Sequence, residues 1–177
     1  GELVPGTGPV ALVTDSTVMG IHGAAAQTAL GDRLVSTHEL PRGEEAKQLR
    51  VIERLWSELR LDRDGTLVAV GGGATTDVAG FAASTYLRGV PWVAVPTTLV
   101  GQVDASIGGK TAIDIPLGKN LVGAFHWPVR TVIDPTVLST LPEREHRQGE
   151  AERIKTELLA GRPLDARAAA AYKAALC

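Results

Sequence analysis

Apolar residues fall along the chain in short blocks that alternate with amphipathic stretches. Residues 10–14 (VALVT) form an apolar run closed by Asp15 and read as a buried strand. Residues 21–30 are alanine-rich and suit a helix, interrupted early by Gly23. Residues 33–38 read as a second strand. Residues 44–61 carry the clearest helical period, with Leu49, Ile52, Leu55, Trp56 and Leu59 spaced by three and four. Gly65 can supply the turn that ends this stretch. Residues 67–70 (LVAV) form another strand running into Gly71, Gly72 and Gly73, after which Thr75 or Thr76 is expected to cap a helix reaching Tyr86. Residues 92–95 form a strand stopped by Pro96. Residues 99–125 show no clean period, and residues 131–133 suggest one more strand. After Pro142 the chain turns helical, over residues 143–159 and again over 166–176. Strands alternating with helices predict an α/β fold, a parallel sheet covered on both faces. We place a boundary near Leu141, giving an α/β domain over residues 1–140 and the start of a helical domain over 141–177.

Composition narrows the function classes. The 177 residues hold 18 Lys plus Arg against 20 Asp plus Glu, a formal charge of −2. That balance lacks the basic footprint of a nucleic-acid binder. With two Phe, three Trp and two Tyr, base-stacking platforms are not expected either. No apolar run approaches the roughly 18 residues of a membrane span, and the first residues do not read as a secretion signal. The one cysteine, Cys177, permits no internal disulfide and suits a reducing compartment. A cytoplasmic protein without nucleic-acid or membrane partners is the expectation.

Several groups of residues carry candidate chemistry. The strand–GGGATTD–helix segment, residues 71–77, offers a tight glycine turn and free N–H groups at a helix start. This suits a dinucleotide phosphate and suits a plain glycine-rich turn equally, because the G-x-G-x-x-G fingerprint is absent. Gly109-Lys110-Thr111 is not a P-loop, since Asp104 stands where the first glycine is required. His146 and Glu150 are four apart on a predicted helix, a spacing that resembles that of metal ligands, and read rather as a solvated charged face. His22, His38, His126 and His146 show no zinc spacing. Asp104, Lys110, Lys119 and Asn120 fit either a surface loop or an anion-binding pocket.

The order of segments resembles 3-dehydroquinate synthase, of the sugar-phosphate cyclase group. The resemblance is carried by RGEEAK (42–47), GGGATTD (71–77), TYLRG (85–89), VPTTL (95–99), QVDASIGGKT (102–111), LGKN (117–120), TLPERE (140–145) and GEAERIK (149–155). It implies a Rossmann-like NAD-binding domain followed by a helical domain. It also implies conversion of 3-deoxy-D-arabino-heptulosonate 7-phosphate to 3-dehydroquinate and phosphate, in the shikimate pathway. In that reaction NAD is reduced and reoxidised in each turnover and phosphate is eliminated. A divalent metal, zinc or cobalt, holds the alcohol that is oxidised, and the product forms by intramolecular aldol closure. By the same resemblance Glu152 is a metal ligand, while Asp104, Lys110, Asn120, Lys155 and Lys173 contact substrate. Arg88 reaches the substrate phosphate across a homodimer interface. Asp15, Glu44, Lys47, Gly72, Gly73, Asp77, Thr97, Thr98, Lys110, Lys119 and Thr140 hold NAD.

The family also supplies two histidine ligands from a longer helical domain. Neither is found in this sequence, so the natural gene product is expected to be longer. One carboxylate cannot hold a catalytic metal, so the 177-residue chain is expected to bind NAD weakly and not to turn over. The span from Lys155 to Lys173 is shorter than the resemblance implies. Arg153 stands where an apolar residue is usual, and Asp114 and Thr17 where asparagine is usual. Three alternatives are a sister cyclase of aminocyclitol biosynthesis, a metal-dependent polyol dehydrogenase, and a non-catalytic nucleotide-binding remnant.

Overall fold

β1 (Val10–Asp15) is buried at every position, as a strand covered on both faces must be. The computed structural model describes residues 3–176; Gly1, Glu2 and Cys177 lie outside it, so the readings placed on them are not addressed. β1 continues into α1 (Ser16–Val18), a π-helical turn (Met19–Gly23) and α2 (Ala24–Leu30). The predicted single helix over 21–30 is therefore split. β2 (Leu34–Leu40) follows, then a 3₁₀ turn (Gly43–Lys47) and α3 (Leu49–Glu58). The long helix expected over 44–61 is shorter because Gln48 is extended, with φ −77° and ψ 144°. That break lets Ala46 and Lys47 turn inward.

β3 (Thr66–Gly71) is wholly buried and leads into α4 (Gly73–Thr85). Neither expected threonine caps this helix. Gly72 is its N-cap and offers no side chain, while Thr75 and Thr76 lie inside the first turn and are buried. β4 (Trp92–Pro96), a π-helical turn (Gly101–Ala105), β5 (Lys110–Ile115), β6 (Gly118–Phe125) and β7 (Arg130–Thr131) complete the strands. A 3₁₀ turn (Pro135–Thr140) leads to α5 (Glu143–Ala160) and α6 (Ala166–Leu176), close to the predicted limits.

Five strands form a parallel sheet in the order β2-β1-β3-β4-β7. The chain leaves β1 to one side for β2 and returns to the other side for β3. The gap between the carboxyl ends of β1 and β3 is therefore the switch point, where α/β sheets bind ligands. Alternate residues of the strands feed two cores. Ala11, Val13, Leu67, Ala69 and Ala94 pack with α3 and α4 on one face; Val10, Leu12, Val68, Val70 and Val93 pack with Val18, Ala26 and Leu30 on the other. Trp92, 2% exposed, joins the first core, and its indole N–H donates to the His126 carbonyl at 3.1 Å.

The stretch without a clean period holds an antiparallel hairpin, β5–β6. Its period is hidden because β6 is exposed along most of its length, so burial selects no alternation there. A third cluster, Leu99, Val103, Leu164 and Ala169, packs α6 and the end of α5 against the π turn after β4. Gly149 of α5 allows this approach: a Cβ there would collide with the Leu99 side chain and meet the Val100 nitrogen at 2.9 Å.

Candidate functional site

The end of β1 and the start of α4 build the first site from backbone. Asp15 is 7% exposed, and its Oδ1 accepts from the Thr17 and Val18 amides at 2.9 and 3.0 Å. Its Oδ2 accepts from the Thr75 hydroxyl at 3.4 Å, which ties β1 to α4. Gly72 leads into α4 with no side-chain cap, so the first N–H groups of the helix remain open to a ligand. A Cβ at Gly72 would sit 3.0 Å from the Thr98 methyl, a tight contact that glycine avoids. A cavity of about 440 Å³ opens here, lined by Asp15, Glu44, Gly72, Gly73, Thr97, Thr98 and Thr140 among others. These seven were all expected at a cofactor site. His22, Arg42, Glu145 and Gln148 line it too and were not assigned from sequence. His22 Nε2 and Thr140 Oγ1 lie 3.0 Å apart, bridging the segment after β1 to the segment before α5. No spacing rule links residues 118 positions apart, so the sequence held no signal for that contact.

A second cavity, of about 540 Å³, is lined by Asp77, Asp104, Lys110, Asn120 and Lys173 with the apolar wall of β6. The π turn that carries Asp104 is anchored by Gln102, fully buried. Its amide donates to the carbonyls of Pro96 at 3.2 Å and Asp134 at 2.8 Å. Lys173 reaches from α6 to within 2.6 Å of Asp104 Oδ1 and 3.6 Å of Glu152 Oε1. Its hydrogen bond to Asp104 holds the ammonium pKa above the usual lysine value, and Glu152 adds to this. Lys155, one turn beyond Glu152, donates to the same carboxylate at 2.9 Å.

Behind this cavity Lys47, 3% exposed, donates to Asp77 Oδ2 at 2.6 Å and to Asn120 Oδ1. Burial pushes the Asp77 carboxyl pKa up, and the Lys47 hydrogen bond opposes that rise. Two residues expected at the cofactor, Lys47 and Asp77, are thus held together with Asn120, expected at the substrate. Asp77 lines the second cavity rather than the first, and Lys47 lines neither. Lys119 is exposed and pairs with Glu44 at 2.9 Å. Arg88 is exposed and lines neither cavity. It lies beyond the far end of α4, about 20 Å along the helix from Gly73. Leu87 and Arg88 both take left-handed backbone, at φ 51° and 69°.

The residues present suit a dinucleotide: an uncapped helix start, a glycine cradle a Cβ would fill, and threonine hydroxyls around one cavity at the switch point. They do not suit a metal by themselves. Among the described residues no three His, Cys, Asp or Glu side chains gather to hold an ion. Glu152 instead faces two lysines.

Residues 37–148 match the family model described as 3-dehydroquinate synthase N-terminal. The chain belongs to the 3-dehydroquinate synthase family. It is 49% identical over 156 residues to 3-dehydroquinate synthase from Bordetella pertussis, covering 85% of this chain and 43% of that protein. Among solved structures it is similar to 2-deoxy-scyllo-inosose synthase complexed with carbaglucose-6-phosphate, NAD+ and Co2+. The identity is 34% and the TM-score 0.77, over 85% of this chain and 43% of that one. It is also similar to 2-epi-5-epi-valiolone synthase from Streptomyces hygroscopicus with NAD+ and Zn2+ bound, at 34% identity and TM-score 0.74, over 84% and 43% of the two chains. The chain therefore spans less than half the length of these relatives.

Proposed function

We propose that this chain forms the nucleotide-binding part of a 3-dehydroquinate synthase. The whole enzyme would convert 3-deoxy-D-arabino-heptulosonate 7-phosphate to 3-dehydroquinate and phosphate. The observation that carries this reading is the pair of adjoining cavities, one walled by helix start, glycines and threonines, the other by lysines, carboxylates and an amide. Residues 1–140 form the nucleotide-binding unit and residues 141–177 open the helical one.

The residues around the first cavity would hold NAD, which would supply reversible hydride exchange with a ring alcohol of the substrate. This chain's residues do the rest by binding and orientation. The α4 N-terminus would hold the pyrophosphate, and Gly72 and Gly73 would let it approach. Asp15 and Glu44 would accept from ribose hydroxyls, and Thr97, Thr98 and Thr140 would supply hydroxyls along the cavity. Lys110 and Lys173 attract the anionic groups of the substrate, and Asp104 holds the Lys173 ammonium in place. Asn120 offers an amide to a substrate hydroxyl. Lys155 stands beside Glu152, the single residue here that matches a family metal ligand. The described residues do not by themselves hold a metal.

Arg88, which lines neither cavity of its own chain, would serve a partner subunit in a homodimer. The exposed Phe125, Trp127 and Val129, each more than half accessible, give such a dimer apolar surface. We place the enzyme in the cytoplasm, without nucleic-acid or membrane partners. The formal charge of −2 argues against a nucleic-acid partner; no helix among the described residues is long and apolar enough to cross a membrane.

A second reading, a cyclase acting on another sugar phosphate, is favoured by the fit to the inosose synthase. The 49% identity to 3-dehydroquinate synthases places it behind the first. Calorimetric titration of NAD+ into the chain tests the shared core of both readings: saturable binding is expected, and a folded chain that takes up no NAD+ at millimolar concentration overturns them. Phosphate release by the longer gene product from the heptulosonate 7-phosphate, set against glucose 6-phosphate, then separates the two. Lasting NADH absorbance with a simple polyol would instead reveal a dehydrogenase.

A further inference from the structure

The tip of the β5–β6 hairpin holds Asn120 in a backbone state that asparagine tolerates and glycine prefers, with φ +56°. Ladder register shows how this arises. Ile113 faces Val122 and Ile115 faces Gly118, so residues 119–121 stand opposite Asp114 alone. Such a bulge leaves N–H groups of the longer strand without ladder partners and redirects its side chains. The Asp114 carboxylate takes up one of them, accepting from the Asn120 amide at 2.8 Å. Asp114 is itself fixed by a parallel backbone bridge to Gln48. The redirected Asn120 side chain then reaches Lys47, which Asp77 holds at 2.6 Å.

We propose that Asp114 is a positioning residue: its carboxylate replaces the missing ladder bond, locks Asn120 in the left-handed state and so presents the Asn120 amide to the second cavity. Asp114 lines neither cavity. Its effect passes through Asn120. This rests on the assignment of the second cavity to substrate.

The test uses the full chain with Asp114→Ala and Asp114→Asn. Hydrogen exchange at the Asn120 amide should quicken about tenfold or more in D114A and stay near wild type in D114N, whose amide oxygen accepts the same bond. The Val122 amide serves as the control. With NAD+ saturating, D114A should weaken binding of the heptulosonate 7-phosphate about tenfold, and D114N should restore it. NAD+ affinity itself should change less than about twofold, since the first cavity is untouched. In an Asn120→Gly background, D114A should weaken substrate binding no further, whereas a merely structural role would still lower it. Unchanged exchange at Asn120 in D114A, or a further loss in the glycine background, overturns the proposal. Should the wild-type chain bind NAD+ but not the heptulosonate, the substrate assignment fails, and Asn120 exchange alone decides whether Asp114 holds that backbone.

Discussion

The two cavities lie side by side and are made of different material. The first is built mainly from backbone and short side chains at the ends of β1, β3 and β4, with Glu44, His22, Arg42, Glu145 and Gln148 at its border, and β1 and β3 beneath it are buried throughout. The second is built from long charged side chains on a hairpin, a π turn and two helices, several of them half exposed. A backbone-built wall is set by topology, so single side-chain changes move it little. A wall of charged side chains exists only while the elements that carry them stay docked.

That contrast can be broken most forcefully at its common foundation. Trp92→Ala should cost about 3–5 kcal/mol, because the ring is buried between β4 and α4 and its N–H partner would be stranded. Urea denaturation checks this, and both cavities should be lost in one transition. Gly149→Val should separate them. The added side chain collides with Leu99, and overpacking of this kind costs about 1–3 kcal/mol. Amides of α6 should exchange faster while those of β1 hold, and NAD+ binding should survive.

Gly72→Ala should do the reverse. With a methyl 3.0 Å from Thr98, NAD+ affinity should fall about tenfold by calorimetry, with little change in melting temperature. The smallest effects concern protons. Lys173 has its folded-state pKa raised above 10.5, chiefly by the hydrogen bond to Asp104. Its contribution is complete below 10.5 and is lost as pH rises through the folded value. α6 should loosen on that alkaline side, and Lys173→Gln should flatten the response in α6 amide exchange. His38, in the sheet, behaves oppositely. Burial lowers its folded-state pKa below 6.5 despite the nearby Glu58, so its contribution is present above 6.5 and fades as pH falls through the folded value. His38→Gln should reduce the acid slope of the urea midpoint while α6 is unaffected.

Family membership was legible in the order of motifs, and the expected cofactor residues Asp15, Gly72, Gly73, Thr97, Thr98 and Thr140 do gather around one cavity. What the motifs did not separate was wall from support. Lys47 and Asp77 were assigned to NAD with the rest, yet the fold buries Lys47 against Asp77 and Asn120. Position in a motif carries no information about burial, which here depends on the break at Gln48 that turns Lys47 inward. The β5–β6 hairpin was missed for a related reason: an exposed strand has no buried face to impose a period of two.

Along the chain itself, apolar runs and helical spacing determined the order of buried strands and long helices, and three successive glycines marked the turn at which α4 begins. These are local properties, readable from neighbours a few positions apart. The tertiary structure alone decided that Lys173 meets Asp104, that His22 meets Thr140, and that Asp114 holds Asn120 in a left-handed turn. Each depends on how separate elements cross or on a slip in strand register, and neither is written in the spacing of any one segment.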